Sequence, residues 1–202
     1  MNPIAAPVCM ATIGLTVLCS LATFGSPRAI RLFGASPWEM IHDGRWYQML
    51  TSGFLHAGMG HLFMNMVTLY FFGPPMERAV GSMGFLILYL GSLLSGSLFS
   101  LLYHRRDPSY RAIGASGAVS GVIFGFVLFR PFAKIYLFLL PVGVPAVIFA
   151  AGYIAISAYG ARTGRARIGH AAHLGGAIGG LVLTVLLYPN VISIFLSNFH
   201  GR

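Results

Sequence analysis

Seven polar side chains open three of the chain's apolar stretches, and their types suit acyl transfer to a hydroxyl: His56, His61, Asn65, Ser116, Ser120, His170 and His173. Ser116 stands in Gly114-Ala115-Ser116-Gly117, and His173 in Gly169-His170-Ala171-Ala172-His173-Leu174-Gly175-Gly176. A serine becomes a nucleophile when a histidine nitrogen comes within about 3 Å of its hydroxyl. His61 and Asn65 are spaced i,i+4 and share a helix face, as do Ser116 and Ser120, while His170 and His173 are i,i+3. The four acids, Glu39, Asp43, Glu77 and Asp107, lie between the apolar stretches or at their edges. A Ser-His-Asp triad would need Asp43 or Asp107 folded in from a connection, so a Ser-His dyad is the simpler reading. Free backbone N–H groups at a helix start, joined by His61 and Asn65, would serve the oxyanion.

The elements that must place these groups are apolar helices. Hydrophobic residues make up 56% of the 202 and charged ones only 8%, against about 25% charged in soluble domains, which points to an integral membrane protein. A bilayer core takes about 20 apolar residues per helix. Six stretches qualify, roughly 4–24, 56–75, 83–103, 114–130, 133–157 and 171–189. The expected fold is all-α, six transmembrane helices in one domain over 1–202, with a long first connection at 25–55. That connection carries Trp38, Trp46 and Tyr47, rings suited to a membrane interface, and reads as a lid or a partly embedded hairpin. Gly73-Pro74-Pro75 is expected to end the second span. The first 27 residues hold no charge, unlike the basic start of a secretory signal, and read as an uncleaved span.

With six spans the polar openings of the second, fourth and sixth fall on one side of the membrane. Gly117, Gly121 and Gly125 form one small-residue stripe, and Gly175/Gly179 and Gly176/Gly180 form two more; such stripes let helix backbones approach closely. The net charge of +9 sits in short connections, where cations anchor helices at headgroups rather than bind nucleic acid. Nine arginines (28, 31, 45, 105, 106, 111, 162, 165 and 167) fall on the serine's side, and Arg78, Arg130, Lys134 and Arg202 on the other. The positive-inside rule therefore puts the serine's side in the cytoplasm. Cys9 and Cys19 have no metal-ligand spacing and read as ordinary buried or lipid-facing thiols.

Taken alone, the glycine-flanked serine fits helix packing, and a buried histidine commonly bonds a backbone carbonyl or a neighbouring helix. His56 fits that role, holding the first connection, and His42, His104 and His200 read as loop residues. Four histidines in two spans also leave open a haem or metal protein. Their joint placement with the serine and the glycine stripes favours hydrolysis.

Together these residues resemble the rhomboid family of intramembrane serine proteases over about residues 44–189. The resemblance rests on His61-Leu62-Phe63-Met64-Asn65, Gly114-Ala115-Ser116-Gly117 and His173-Leu174-Gly175-Gly176, in that order. Phe54-Leu55-His56-Ala57-Gly58 and Glu77…Gly81…Phe85 add to it. It implies the compact six-span core, with Ser116 as nucleophile and His173 as general base. It implies an oxyanion hole from His61, Asn65 and the Ser116 N–H, with Gly114, Gly117, His56, His170 and Ser120 in support. It also implies no metal or cofactor, substrates that are single-span or multi-span membrane proteins in the lipid bilayer, and no nucleic-acid partner. A bacterial member would sit in the inner membrane with its site open to the extracytoplasmic side, against the arginine count. Two positions depart from the family pattern. Tyr47-Gln48 stands where many members have Trp-Arg, and Ser120 where an aromatic ring often packs on the catalytic histidine. A catalytically silent membrane chaperone on the same scaffold is the alternative. The second or fifth span, or the first connection, is the candidate gate.

Overall fold

The computed structural model describes residues 6–136, 142–163 and 169–200. Arg165, Arg167 and Arg202, which enter the charge count, lie outside them. Among the described residues the fold is predominantly helical: α1 Pro7–Thr23, α2 Pro27–Phe33, α3 Pro37–Asp43, α4 Gln48–Thr51, α5 Met59–His104, α6 Ser116–Phe129, α7 Ala146–Thr163, α8 His170–Leu187 and α9 Val191–His200. A two-stranded antiparallel hairpin, β1 Lys134–Tyr136 and β2 Gly143–Pro145, pairs Lys134 with Pro145. Two helices, Met59–His104 and His170–Leu187, are long and apolar enough to cross a membrane. Pro7–Thr23, Ser116–Phe129 and Ala146–Ala161 are shorter apolar helices.

α5, α6 and α8 pack closely on one another; α1 lies against α5, and α7 leans mainly on α8. Leu69, Phe85, Leu88, Tyr89, Val122 and Ala177 are fully buried in the core. Large apolar side chains such as Leu18, Ile148, Ile156 and Leu186 face outward, as expected where the surroundings are lipid tails.

Three expectations need correction. Pro74 and Pro75 do not end a helix: α5 runs through them and breaks at Gly81, whose φ of 76° and ψ of 164° leave the helical region. A proline fits helical φ, and although it loses one N–H bond and crowds the carbonyl of the preceding turn, packing can hold the helix together, whereas a positive φ reverses the chain direction and strongly favours glycine. The fifth apolar stretch is not helical from 133: Lys134–Tyr136 and Gly143–Pro145 are paired strands, residues 137–141 lie outside the described ones, and α7 starts only at Ala146, whose N–H bonds the Ala133 carbonyl while that of Val147 bonds Pro131. These carbonyls satisfy donors that a helix start leaves open. Finally, His42 and His104 lie in the last turns of α3 and α5, and His200 ends α9.

The first connection is built of short helices with strong local signals. Ser26 and Ser36 cap α2 and α3, each followed by a proline at the first helical position. Gly44 closes α3 in the left-handed region. Gln48, fully buried, ties them together: its Oε1 accepts from the Ser36 N–H at 3.0 Å, and its Nε2 donates to Glu39 at 2.9 Å and to the Leu32 carbonyl at 3.2 Å. Arg45 reaches Glu39 at 3.0 Å, and Arg111 from beyond α5 pairs with the same carboxylate. Arg111 also donates to the carbonyls of Arg31 and Gly34. Gln48 thus occupies the centre of the knot, and Arg45 and Arg111 bring the cations. Burial raises the Glu39 pKa, but hydrogen bonds from Arg111 and Gln48 and both guanidinium charges outweigh it, so Glu39 titrates below its usual range.

Candidate active site

Ser116 is the first residue of α6, so its N–H and those of Gly117 and Ala118 precede the first helical bond, from the Val119 N–H to the Ala115 carbonyl. His173 lies in the first turn of α8. Its Nε2 stands 2.7 Å from Ser116 Oγ, within the reach a nucleophile and its base require. Backbone contact brings the two together. A Cβ on Gly176 would run into the Gly117 carbonyl, and one on Gly180 into the backbone of Gly121. The Gly176/Gly180 stripe therefore seats α8 directly on α6, one turn below the Ser116–His173 contact. Gly175 and Gly179 face Phe99 and Ser95 on the second half of α5, which closes the trio.

Gly114 has φ 127°, and a Cβ there would meet the His61 ring at 2.6 Å. The turn before Ser116 thus leaves room for His61 to lie beside it. Asn65, one turn further, is buried and spends one amide hydrogen on the His61 carbonyl at 2.9 Å. Its second amide hydrogen remains for another acceptor. His61, Asn65, Gly114, Ser116, Gly117, Ser120, His170 and His173 all line one open cleft of about 1430 Å³.

His56 is buried and joins two elements: Nε2 accepts from the Ala115 N–H at 3.3 Å, and Nδ1 faces Ser20 Oγ of α1 at 2.9 Å. Since Nε2 accepts, Nδ1 carries the proton and donates to Ser20, whose hydroxyl passes on to the Phe54 carbonyl at 2.9 Å. The histidine that ties the first connection in place thereby also holds the residue before Ser116. His170 lies beside His173, ring centres 6.3 Å apart, and its ring rests on Gly160 of α7. Ser120 does not bond His173. Its hydroxyl donates to the Ser116 carbonyl at 2.7 Å and meets the Tyr153 hydroxyl from α7.

The carboxylates of the connections are engaged elsewhere, Asp43 with Arg45 at 3.6 Å and Asp107 with the Ser109 N–H and hydroxyl. Among the described residues no group of three or more His, Cys, Asp or Glu is placed to hold a metal ion. Tyr153 is the site residue that spacing does not single out. Its signal is chemical: a phenol in an apolar helix needs a hydrogen-bond partner, and Ser120 is the available hydroxyl.

The Rhomboid domain model matches residues 43–190. The chain belongs to the rhomboid family. It is accordingly an integral membrane protein. It is 37% identical over 155 residues to RHOMBOID-like protein 12, mitochondrial, of Arabidopsis thaliana, covering 69% of this chain and 46% of that protein. Rhomboid protease GluP of Bacillus subtilis (strain 168) is 32% identical over 155 residues, covering 77% and 29%. Rhomboid protein 1, mitochondrial, of Saccharomyces cerevisiae (strain ATCC 204508 / S288c) is 37% identical over 140 residues, covering 66% and 40%. This rhomboid chain spans less than half the length of these relatives.

Proposed function

We propose that this chain is an intramembrane serine endopeptidase that cuts transmembrane segments of other membrane proteins with a Ser116–His173 dyad. The observation that carries the reading is the 2.7 Å contact between Ser116 Oγ and His173 Nε2 at the foot of a glycine-locked helix pair. His173 takes the Ser116 proton as Oγ attacks the scissile carbonyl, and the oxyanion is met by the Ser116 N–H, His61 and Asn65. Collapse of the tetrahedral intermediate breaks the C–N bond, and His173 returns the proton to the leaving amine. A water from the cleft then attacks the serine ester, losing a proton to His173, and the acid product leaves as Oγ is reprotonated.

In this reading residues 1–202 form one membrane domain crossing the bilayer six times. α5 supplies two passes, because 46 residues at 1.5 Å each make about 69 Å, twice a bilayer core, and Gly81 divides them. The site opens to the extracytoplasmic side of a bacterial inner membrane, as family habit has it and against the arginine count. A reporter fused after Arg202 is then active in the cytoplasm; activity only outside overturns this orientation.

The decisive measurement is labelling by a fluorophosphonate, with cleavage of a model transmembrane substrate in proteoliposomes. Wild type labels at Ser116, Ser116→Ala does not, and Ser116→Ala and His173→Ala each lose at least about 10³-fold in cleavage. A folded wild type that neither labels nor cleaves overturns the proposal. Substrate association that survives loss of Ser116, without cleavage by wild type, supports a chaperone instead.

A further inference from the structure

We propose that Tyr153 of α7 is the positioning residue for His173, held in place by the Ser120 hydroxyl, so that the base is aligned only while α7 is docked. The inference rests on the protease reading above and adds what aligns its base.

The Tyr153 ring lies 6.0 Å from the His173 ring, centre to centre, tilted by 31°, within the range of offset aromatic pairs. Phe124 of α6 at 5.7 Å and Phe149 at 6.0 Å pack on its other sides. The phenol has a defined role. Ser120 spends its one proton on the Ser116 carbonyl, so at the Ser120–Tyr153 contact the tyrosine donates and the serine accepts. The chain of bonds runs from the Tyr153 hydroxyl through Ser120 to the carbonyl of the nucleophile. The Tyr153 ring meanwhile lies against the base. One side chain therefore touches the histidine and is tied to the serine's backbone, although it sits on neither of their helices.

Its helix is the loosely held one. α5, α6 and α8 are locked backbone to backbone through glycines, whereas α7 leans on α8 and only lightly on α6. Toward the cleft it is tied by His170 resting on Gly160 and by the Tyr103 hydroxyl donating to the Ala161 carbonyl. The first connection, by contrast, is fastened by the Glu39 knot and by the paired backbones of Ala35 and Ala112. Among the described contacts, α7 is held to the trio of α5, α6 and α8 by side chains rather than by glycine backbones, so it is the segment that can move without parting them. Such a displacement withdraws Tyr153 from His173 and couples access to the cleft with alignment of the base.

The test compares wild type, Tyr153→Phe, Tyr153→Leu and Ser120→Ala for kcat and KM on a model transmembrane substrate. Fluorophosphonate labelling rate and thermal unfolding midpoint are read on the same samples. Tyr153→Leu lowers kcat and labelling rate about 30-fold with KM within about twofold, since a misplaced catalytic group costs rate rather than binding. Tyr153→Phe keeps the ring and recovers to within about fivefold of wild type, and Ser120→Ala behaves like it. Wild-type kcat in Tyr153→Leu overturns this inference alone. So does a Phe variant as slow as Leu with an equally lowered midpoint. A wild type that neither labels nor cleaves overturns the protease reading, and this inference with it.

Discussion

Glu77 and the Ser116–His173 pair lie at opposite ends of the same helix packing. Sixteen residues of α5 separate His61, beside the serine, from Glu77, about 24 Å along the axis. At the far end, α1 begins after Ala6, which has no side chain to cap it. The buried Glu77 carboxyl group takes that role from 68 residues away, accepting from the N–H groups of Val8 at 3.1 Å and Cys9 at 2.7 Å and from the Ser82 hydroxyl at 2.6 Å. An acid at a helix N-terminus also meets the positive end of the helix dipole. At the near end the serine and histidine meet with no acid, and the geometry comes from glycine backbones in contact. Acids hold this molecule where helices must be fastened, at Glu77 and Glu39. The proposed dyad needs no carboxylate, and an uncharged serine and imidazole cost less in a membrane than a fixed charge.

Removing a glycine should separate the two plans most sharply. Gly176→Ala places a methyl group against the Gly117 carbonyl, and backbone cannot step aside, so α8 must shift. Cleavage should fall about 100-fold and stability by about 2–3 kcal/mol, read by substrate assay and unfolding on one sample. Gly14→Ala, with nothing within 4 Å of the new carbon, should leave both near wild type. Equal behaviour of the two variants would break the comparison. Next in size, Glu77→Ala leaves two helix-start amides and a hydroxyl without their acceptor, costing about 2–5 kcal/mol. The surviving folded protein should still label at Ser116 at the wild-type rate; slow labelling by folded molecules would mean the ends are coupled.

The smallest effect concerns pH. Because folding lowers the Glu39 pKa from 4.5, its contribution is fully present above about pH 4.5 and is lost as pH falls through the lower folded value. Wild type should therefore lose thermal stability below pH 4.5 more steeply than Glu39→Gln, while the two run parallel between pH 5 and 7. Parallel curves throughout would remove Glu39 from the knot.

Much of this was open to reading from residue order. The apolar stretches and the glycine stripes of α6 and α8 are local patterns, and local patterns report which face a helix can offer. Ser116, His173, His61 and Asn65 could be named as candidates on the same ground. The run of α5 through Pro74 and Pro75 was not legible, because a proline's cost depends on whether the surroundings hold the helix together. Nor were the paired strands Lys134–Tyr136 and Gly143–Pro145, since apolar strands and apolar helix starts look alike over so few residues.

By itself, then, the sequence determined the apolar stretches, the polar residues that open three of them and the stripes along which helices could touch. Tertiary structure alone decided which stripe meets which helix, that Glu77 caps α1, that Gln48 centres the Glu39 knot, and that the ring beside His173 comes from Tyr153. These are partnerships between residues as far as 84 positions apart, as Ser95 and Gly179 are, and periodicity carries no information about them. They follow from which surfaces pack most closely and from the partners that most buried polar groups find there.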